Sequence, residues 1–265
     1  RDKRPAGAAS DACSEYSSRL MITTIEGVVL RTIPYSDRSL IATLYTDLWG
    51  ATAFSVPIGG RSRATSNLFQ PLRGLQITTP SPASQPVKLI RQVQLIRGAL
   101  PLAQRPSCSG YFLYLAQLLR ELLAQEPEDL TLYKTVAQAL DQLDGVEDPG
   151  ELKGFDLALL VSILRVKGYL PEWIDMRRLN QSEDNYSVHW LNLEQWTLLP
   201  LRTDNSVQLT PELQSALPRL LGYDLEHFTP DSFTASEYET LRRLLLHFTE
   251  LHSPSFRIKH IIPLP

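Results

Sequence analysis

The chain has 265 residues, of which 43% are hydrophobic, and its formal net charge at neutral pH is −3. This length and composition are typical of a soluble globular protein with one large domain or two ordinary ones. No apolar run approaches the roughly 20 residues of a membrane-spanning helix, which argues against a membrane protein.

The chain contains two cysteines, Cys13 and Cys108. They form no CxxC pair and lie near no histidine at ligand spacing, so neither a disulfide framework nor a zinc site is indicated. We therefore expect a reducing, cytoplasmic setting with no metal and no cofactor.

The charge is distributed unevenly. Residues 21–100 hold eight Lys and Arg against three Asp and Glu, a net charge of +5, whereas residues 101–265 hold fourteen against twenty-three, a net charge of −9. Such an asymmetry suggests a polyanionic ligand for the basic part. The acidic part should repel DNA and remain available for protein contacts.

Residues 1–20 are rich in Ala, Ser and charge and lack the apolar core of a signal peptide, so we expect a disordered extension. From residue 22 the pattern changes to short alternating or apolar segments. Strands are predicted at 22–32, with a bend at Gly27 and with Pro34 and the Ser36-Asp37 pair ending the strand, and at 39–45, 51–58, 75–79 and 87–97. A turn that closes on Gly50 separates the second strand from the third.

Five short strands within about eighty residues suit a small closed β-barrel better than an open sheet. The OB-fold is the commonest such barrel, and it often binds single-stranded nucleic acid. We therefore predict an α+β protein, with a five-stranded OB-fold barrel over residues 21–102 and a mainly α-helical domain over residues 103–265.

Beyond residue 106 the hydrophobic period changes from 2 to 3.6, which predicts helices. Residues 155–166 are apolar almost all round, as in the most buried helix of a bundle. Thr210, which precedes Pro211, and Thr234, which forms a capping box with Glu237, should begin two later helices. An irregular or β-like excursion is expected near residues 172–201.

The sequence Gly59-Gly60-Arg61-Ser62-Arg63 combines a turn with two arginines. Arginine offers a planar fork of donors that matches phosphate oxygens. The basic part contains too few acids to pair its cations, so we interpret these as DNA contacts, although solvated strand faces and isolated ion pairs are the alternative. The predicted DNA-binding residues are Arg31, Arg38, Arg61, Arg63, Arg73, Arg91, Arg97 and Tyr35.

Strand parity places Arg91 and Arg97 on one side of the last strand and Lys88 on the other, which makes Lys88 the weaker candidate. Among the aromatic residues that could stack on bases, Tyr35 lies beside Pro34 in a predicted turn and should be exposed. Residues such as Tyr45, Trp49 and Phe54 belong more often to a barrel core.

The sequence contains no recognisable catalytic motif. The five histidines fall at no metal-ligand spacing, the Gly-Gly-Arg segment lacks the lysine and spacing of a nucleotide-binding loop, and no serine lies in a nucleophile-elbow pattern. We therefore predict no catalytic residues, and an enzyme ranks third among the functional classes.

Several segments resemble the RecO family of recombination mediators. They are Glu-Gly-Val-Val-Leu-Arg-Thr at 26–32, Leu-Ile-Ala-Thr-Leu-Tyr-Thr at 40–46, Leu-Phe-Gln-Pro-Leu at 68–72, Gly-Tyr-Leu-Pro at 168–171 and Phe-Arg-Ile-Lys-His at 256–260. The N-terminal segments are the more specific, because leucine-rich helices resemble one another widely.

This resemblance implies an OB-fold that binds single- and double-stranded DNA, followed by a helical domain. It also implies strand annealing, binding to the acidic C-terminal tail of single-strand-binding protein, and action with RecR to load RecA. The implied setting is the bacterial cytoplasm, in association with the nucleoid. The alternative is an OB-fold interaction scaffold with little intrinsic DNA binding.

Many members of the family carry four zinc-binding cysteines after the Gly-Tyr-x-Pro element, and none follows it here. We therefore expect no zinc, and residues 172–196 should be held by packing that involves Trp173, Trp190 and Trp196. An acidic tail with an aromatic end needs a pocket and a cation, for which Arg120 and Arg165 are hypothesised. Ordinary surface positions are the alternative for both.

Overall fold

The computed structural model describes residues 22–58, 66–82, 84–98, 106–146, 148–170, 190–230, 232–257 and 259. Within these residues an N-terminal β-sheet is followed by helices and a small second sheet. The predicted α+β class, with strands first and helices after them, is confirmed.

The N-terminal sheet has six strands in the order β5-β3-β2-β1-β4-β6. Their bounds are β1 Thr23–Ser36, β2 Ser39–Thr46, β3 Gly50–Pro57, β4 Arg73–Thr79, β5 Val87–Leu89 and β6 Gln92–Gly98. The predicted single strand over 87–97 was wrong. It is two strands, of which β5 pairs in parallel with β3 and β6 pairs antiparallel with β4.

The sheet is strongly curled. Only Ile90 and Arg91 separate β5 from β6, although these strands are its two edges. Three residue steps reach ~11 Å at most, whereas six flat strands would span ~24 Å. The Arg91 N–H also donates to the carbonyl of Thr78 on β4 at 2.8 Å. The edges therefore approach each other, but within the described residues no ladder joins them, so the expected barrel is not closed.

Strand β1 is longer than predicted, because it continues through Pro34 to Ser36. Strand β4 pairs with β1 only from Thr23 to Val28, so the second half of β1 has one hydrogen-bonded neighbour, β2. Proline lacks an N–H and is tolerated on such an open side. The turn into β2 therefore falls at 37–38, next to the predicted Ser36-Asp37 pair, and Pro34 does not end the strand.

The helical region contains α1 Pro106–Leu123, α2 Leu130–Asp144, a 3₁₀ helix Pro149–Leu152, α3 Phe155–Val166, α4 Pro211–Leu221 and α5 Ala235–His252. Helix α3 is buried from Phe155 to Leu164, as its apolar sequence predicts. Both predicted caps are confirmed: the Thr210 hydroxyl accepts from the Leu213 N–H, and Thr234 forms a capping box with Glu237.

A small sheet with the order β8-β7-β9 follows α3 in the sequence. Its strands are β7 Trp190–Asn192, β8 Thr197–Leu199 and β9 Ser206–Gln208. The buried Trp196 ring packs edge-to-face on Phe248 of α5, with ring centroids 5.0 Å apart. The Arg202 guanidinium lies 5.6 Å from the Trp190 ring. Packing by Trp196 thus ties this sheet to α5, and Trp173 lies outside the described residues.

A buried carboxylate joins three helices. Asp156 of α3 accepts hydrogen bonds from the hydroxyls of Tyr111 and Tyr114 of α1 at 3.3 and 3.1 Å, and from Tyr238 of α5 at 2.9 Å. Burial raises the pKa of Asp156, and the bonds from Tyr238 and Tyr114 oppose that rise in part. The cluster therefore links α1, α3 and α5 through one polar group.

The loop between α1 and α2 docks on the β2–β3 hairpin. Gly50 has a φ of +61°, and a Cβ at this position would lie 2.4 Å from the carbonyl carbon of Pro127. The Ala51 N–H donates to the Glu126 carbonyl at 3.0 Å, and the Tyr45 hydroxyl donates to the Pro127 carbonyl at 3.1 Å. Only glycine allows this close approach of two backbones.

Candidate nucleic-acid interface

A bulge in β1 determines which residues point outward. Up to Val29 the odd-numbered residues of β1 face the apolar interior of the sheet. Leu30 is an extra residue, because Val29 lies opposite Leu44 and Arg31 lies opposite Thr43. From Arg31 onward the odd-numbered residues therefore point outward. The Arg31 Nε donates to the Thr43 hydroxyl at 3.5 Å, as expected for neighbours on one face.

Two rows of residues that lie opposite one another on β1, β2, β3 and β5 form what we call the outer face. The rows are Arg31-Thr43-Ala53-Val87 and Ile33-Ile41-Ser55-Leu89. Four adjacent strands span ~14 Å. Side chains in the middle of the rows are half-buried and mostly small, whereas those on β1 and β5 are exposed. The outer face is thus a strip with exposed edges.

The edges of the outer face are largely apolar. Ile33 on β1 is 47% exposed, and Leu89 on β5 is 54% exposed. Tyr35 follows Ile33 at a second irregularity of β1 and is 74% exposed. The prediction that Tyr35 is an exposed aromatic residue is confirmed. Large exposed side chains on a sheet face are typical of a binding surface.

The other aromatic candidates belong to the interior. Tyr45 and Phe54 are fully buried, as the sequence favoured. Trp49 is half-buried and packs against the apolar core of the sheet. None of the three is available to stack on a base.

Three predicted cations lie in the outer face or close to it along the chain. Arg31 lies in one row, Arg38 lies in the β1–β2 turn, and Arg91 follows Leu89 by two residues. All three are exposed. Within the described part of the chain, none of the three lies within 4.0 Å of a carboxylate oxygen. They are therefore positioned to receive an anion.

Arg73 is turned inward. Its side chain is buried, and Nη1 donates to the Asn67 carbonyl at 2.7 Å. Burial lowers its pKa. Lys88 is also buried: its Nζ donates to the carbonyls of Pro82 and Gln85 at 3.0 Å and lies 4.3 Å from the Trp49 ring. These positions argue against phosphate contacts by either side chain.

Arg97 lies at the junction with α2 rather than on the outer face. It contacts Glu26 at 3.2 Å and Asp141 at 2.8 Å, and the Tyr133 hydroxyl donates to Glu26 at 3.1 Å. Burial lowers the pKa of Arg97, but the bond to Glu26 and the charge of Asp141 outweigh it, so the pKa lies above its ordinary value. Arg97 therefore holds the junction together.

The parity argument that paired Arg91 with Arg97 was wrong for two reasons. Arg91 precedes β6, and β6 contains an extra residue, because Leu95 lies opposite Leu75 and Arg97 lies opposite Gly74. A one-residue insertion reverses the side on which the following side chain lies. Sequence parity cannot detect a bulge of this kind.

The junction also contains an open cleft of about 410 Å³. Its charged lining residues are Glu26, Asp47, Arg97, Lys134 and Asp141. Burial raises the pKa of Asp47, and the neighbouring Glu26 charge adds to that rise. Two of the three acids of residues 21–100 are thus located here, away from the outer face.

The remaining predicted site residues fall elsewhere. Arg61 and Arg63 lie outside the described residues. Arg120 donates to Glu121 at 2.9 Å, and Arg165 donates to the Leu221 carbonyl and lies 3.5 Å from Asp224. Both side chains of the helical region therefore already have anionic partners, and their proposed contact with an acidic tail gains no support from this placement.

Sequence reasoning missed Ile33, Val87 and Leu89 as surface residues. Each is an apolar residue in a strand, and such residues are usually buried. Their exposure depends on the bulge at Leu30 and on the parallel pairing of β5 with β3. Neither the bulge at Leu30 nor the strand with which β5 pairs can be read from the sequence.

Two negative findings concern the described residues. Within them no group of three or more His, Cys, Asp or Glu side chains could hold a metal ion. Their helices also include none that is long and apolar enough to cross a membrane.

Comparisons with known proteins cover both parts of the chain. The family model for the N terminal of recombination protein O matches residues 21–99, and that for its C terminal matches residues 105–260. The DNA repair protein RecO of Phocaeicola vulgatus is 26% identical over 242 residues, which are 90% of this chain and 95% of that protein. The protein of the same name from Bacteroides fragilis is 22% identical over 241 residues, again 90% and 95%.

A third relative, the DNA repair protein RecO of Porphyromonas gingivalis, is 26% identical over 156 residues, 57% of this chain and 63% of that protein. The two family models together span nearly the whole chain from residue 21 onward. The chain therefore belongs to the RecO family.

Proposed function

We propose that this chain is a non-enzymatic, DNA-binding protein of recombinational DNA repair, and that the outer face and its surrounding arginines bind the DNA. The observation that carries the proposal is the exposure of Arg31, Arg38 and Arg91 without carboxylate partners among the described residues. Each phosphate that such a cation neutralises releases counterions, which favours binding to a polyanion.

The position of the acids supports this assignment. Among the three acids of residues 21–100, Glu26 and Asp47 line the junction cleft, and Asp37 lies beside Arg38 in the β1–β2 turn. The outer face therefore has a local excess of positive charge, although the whole chain has a net charge of −3. Membership of a family whose relatives here are named DNA repair proteins points in the same direction.

The family resemblance carries finer proposals. The chain would bind single- and double-stranded DNA, anneal complementary strands, and act with RecR and the acidic tail of single-strand-binding protein to load RecA. The helical region, with its net negative charge, would serve these protein contacts rather than DNA. A bacterial, cytoplasmic site of action near the nucleoid belongs to the same proposal.

Fluorescence anisotropy of a labelled oligonucleotide, titrated with the full chain at several salt concentrations, tests DNA binding. The Arg31→Ala/Arg38→Ala variant should bind more weakly, and its salt slope should be shallower by about 1.4 for single strands if each arginine contacts one phosphate. The effect should be similar for different base sequences, because phosphate contacts carry no base information.

The matched control is Lys134→Ala/Arg243→Ala, which removes the same charge from exposed positions on α2 and α5. This control should keep the slope of the unchanged chain. Equal slopes for all three proteins would contradict the proposal. Absence of binding at low salt would favour the alternative of an OB-fold interaction scaffold, for which the exposed Ile33 and Leu89 offer apolar contact area.

A further inference from the structure

We infer that Lys88, which is buried beneath the outer face, is a positioning residue for DNA binding: it holds strand β5 in place and thereby fixes Arg91, which contacts phosphate. This inference rests on the proposed function and names a side chain that serves it without touching DNA. Lys88 lies opposite Phe54 of β3, and both side chains are fully buried. Its neighbours Val87 and Leu89 belong to the two rows of the outer face.

The Lys88 ammonium joins three parts of the N-terminal sheet. Its Nζ donates to the carbonyls of Pro82 and Gln85, both at 3.0 Å, in the connection between β4 and β5. It also lies 4.3 Å from the ring of Trp49, in the turn between β2 and β3, which is close enough for a cation–π interaction. The ammonium therefore ties β5 both to the connection that precedes it and to a neighbouring turn.

A charged group is a costly way to fill this space. Burial of an ammonium is unfavourable unless polar groups compensate for the lost water, and it lowers the pKa of Lys88. An apolar side chain of similar length would fill the same volume without that cost. It could not bond to the carbonyls of Pro82 and Gln85, however. The distinctive contribution of Lys88 is thus a directional attachment of the backbone on either side of it.

Strand β5 depends on such attachments because it is short. It has three residues, at the lower end of ordinary strand lengths, and lies at one edge of the sheet beside β3. A second attachment acts in the same place: the Leu89 N–H donates to the Ser81 hydroxyl at 2.9 Å, and Ser81 is 3% exposed. Lys88 and Ser81 together hold β5 where the three-residue ladder alone would hold it weakly.

Arg91 lies two residues beyond β5, where the chain crosses from one edge of the sheet to the other. Its N–H donates to the carbonyl of Thr78 on β4 at 2.8 Å, so its backbone is fixed from β4 on one side and from β5 on the other. Loss of the Lys88 bonds would release the second of these attachments. The exposed guanidinium would then sample more positions, and binding to a phosphate would have to order it again.

A double-mutant cycle tests this role. Lys88→Met removes the ammonium and keeps an unbranched side chain. In anisotropy titrations of labelled oligothymidylate it should bind about fivefold more weakly than the unchanged chain at low salt. Its salt slope should be shallower by at most about 0.7, the contribution of one phosphate. In a chain that already carries Arg91→Ala, Lys88→Met should cause little further loss, because Lys88 acts through Arg91.

Two further variants complete the test. Lys134→Met removes the same charge from an exposed position on α2 and should keep the affinity and slope of the unchanged chain. Ser81→Ala removes the acceptor of the Leu89 N–H and should act in the same direction as Lys88→Met, with a smaller loss. If thermal unfolding shows that Lys88→Met does not fold, the cycle is measured with Ser81→Ala instead.

Unchanged DNA affinity in Lys88→Met would overturn the inference. So would losses that multiply when Lys88→Met and Arg91→Ala are combined, because a purely structural role or a direct effect of the buried charge is independent of Arg91. In either case a shallower slope in Arg31→Ala/Arg38→Ala would leave the proposed function intact. Failure of the unchanged chain to bind at low salt would overturn both.

Discussion

Arginines have opposite roles at the two ends of β1. At the turn end, Arg31 and Arg38 are exposed and have no carboxylate within 4.0 Å among the described residues, whereas at the other end Arg97 contacts both Glu26 and Asp141. Helix α2 brings Asp141 to the junction, and no such element covers the turn end in the described structure. The availability of a cation for DNA therefore depends on which element lies beside it, and a count of charges in the sequence cannot reveal it.

This comparison has a direct consequence for substitutions. Changes at the outer face should alter binding with little effect on stability. Changes in the junction or the helical region should alter stability and leave the salt slope of DNA binding unchanged. The predictions below test this division.

The largest effect on stability is expected for Asp156→Ala. This change leaves the hydroxyls of Tyr111, Tyr114 and Tyr238 without their common acceptor, at a site far from water. The free energy of unfolding should fall by at least about 3 kcal/mol, since each unsatisfied buried group costs roughly 1 kcal/mol or more. Urea unfolding measures it, with Tyr238→Phe as a milder control that removes one donor.

Gly50→Ala should destabilise the junction. A Cβ would lie 2.4 Å from the Pro127 carbonyl carbon, and alanine disfavours a φ of +61°. We expect a loss of about 2 kcal/mol in the free energy of unfolding. Unfolding monitored by denaturant gives the loss, and anisotropy on the folded variant should give an unchanged salt slope. A shallower slope would mean that the junction takes part in DNA binding.

Arg97→Ala should have a smaller effect, about 1 kcal/mol, because its ion pairs with Glu26 and Asp141 are partly exposed to solvent. DNA affinity should change far less than in Arg31→Ala/Arg38→Ala. The sequence placed Arg97 among the DNA-binding residues, so this measurement separates the two interpretations. A loss of DNA affinity equal to that of the outer-face variant would restore Arg97 to the binding surface.

The smallest effect is a pH dependence. The pKa of Asp156 is raised in the folded state above the ordinary value of 3.8, so the folded chain binds its proton first as the pH falls. Between these two pKa values acidification should stabilise the fold, relative to Asp156→Asn. Asp47 contributes in the same direction, since its pKa is also raised.

Glu237 contributes with the opposite sign. Its pKa is lowered from 4.5, first by the bond from the Thr234 N–H, so its stabilisation is present above 4.5 and is lost as the pH falls through the folded value. Urea midpoints measured against pH should therefore show a gain followed by a loss in the unchanged chain. Asp156→Asn should lack most of the gain and keep the loss, and an identical profile would contradict the assignment to Asp156.

Much of the fold could be predicted because local signals were strong. Residue type and hydrophobic period over short stretches of sequence predicted the caps at Thr210 and Thr234, the apolar helix α3 and the β1–β3 meander. The split of 87–97 was missed, although Ile90 and Arg91 interrupt the alternation of apolar and polar residues there, and the change of partner from β3 to β4 is a feature of pairing that residue type does not encode.

The candidate site shows the same division. The exposure of Tyr35 was predicted, although from a turn at Pro34 where the structure has strand β1, whereas the exposure of Ile33 and Leu89 was not predicted. Arg73 and Arg97 have the same charge and strand context as Arg31, and only the fold distinguishes them: one bonds to the Asn67 carbonyl and one to acids of the junction.

The sequence by itself determined the α+β order, the basic character of the N-terminal part and the family resemblance, because these depend on composition, period and short motifs. The tertiary structure alone decided which arginines remain available and which apolar side chains face solvent. The physical reason is that a bulge of one residue reverses the face of a strand, and that ion pairs form between residues far apart in the chain, such as Arg97 and Glu26.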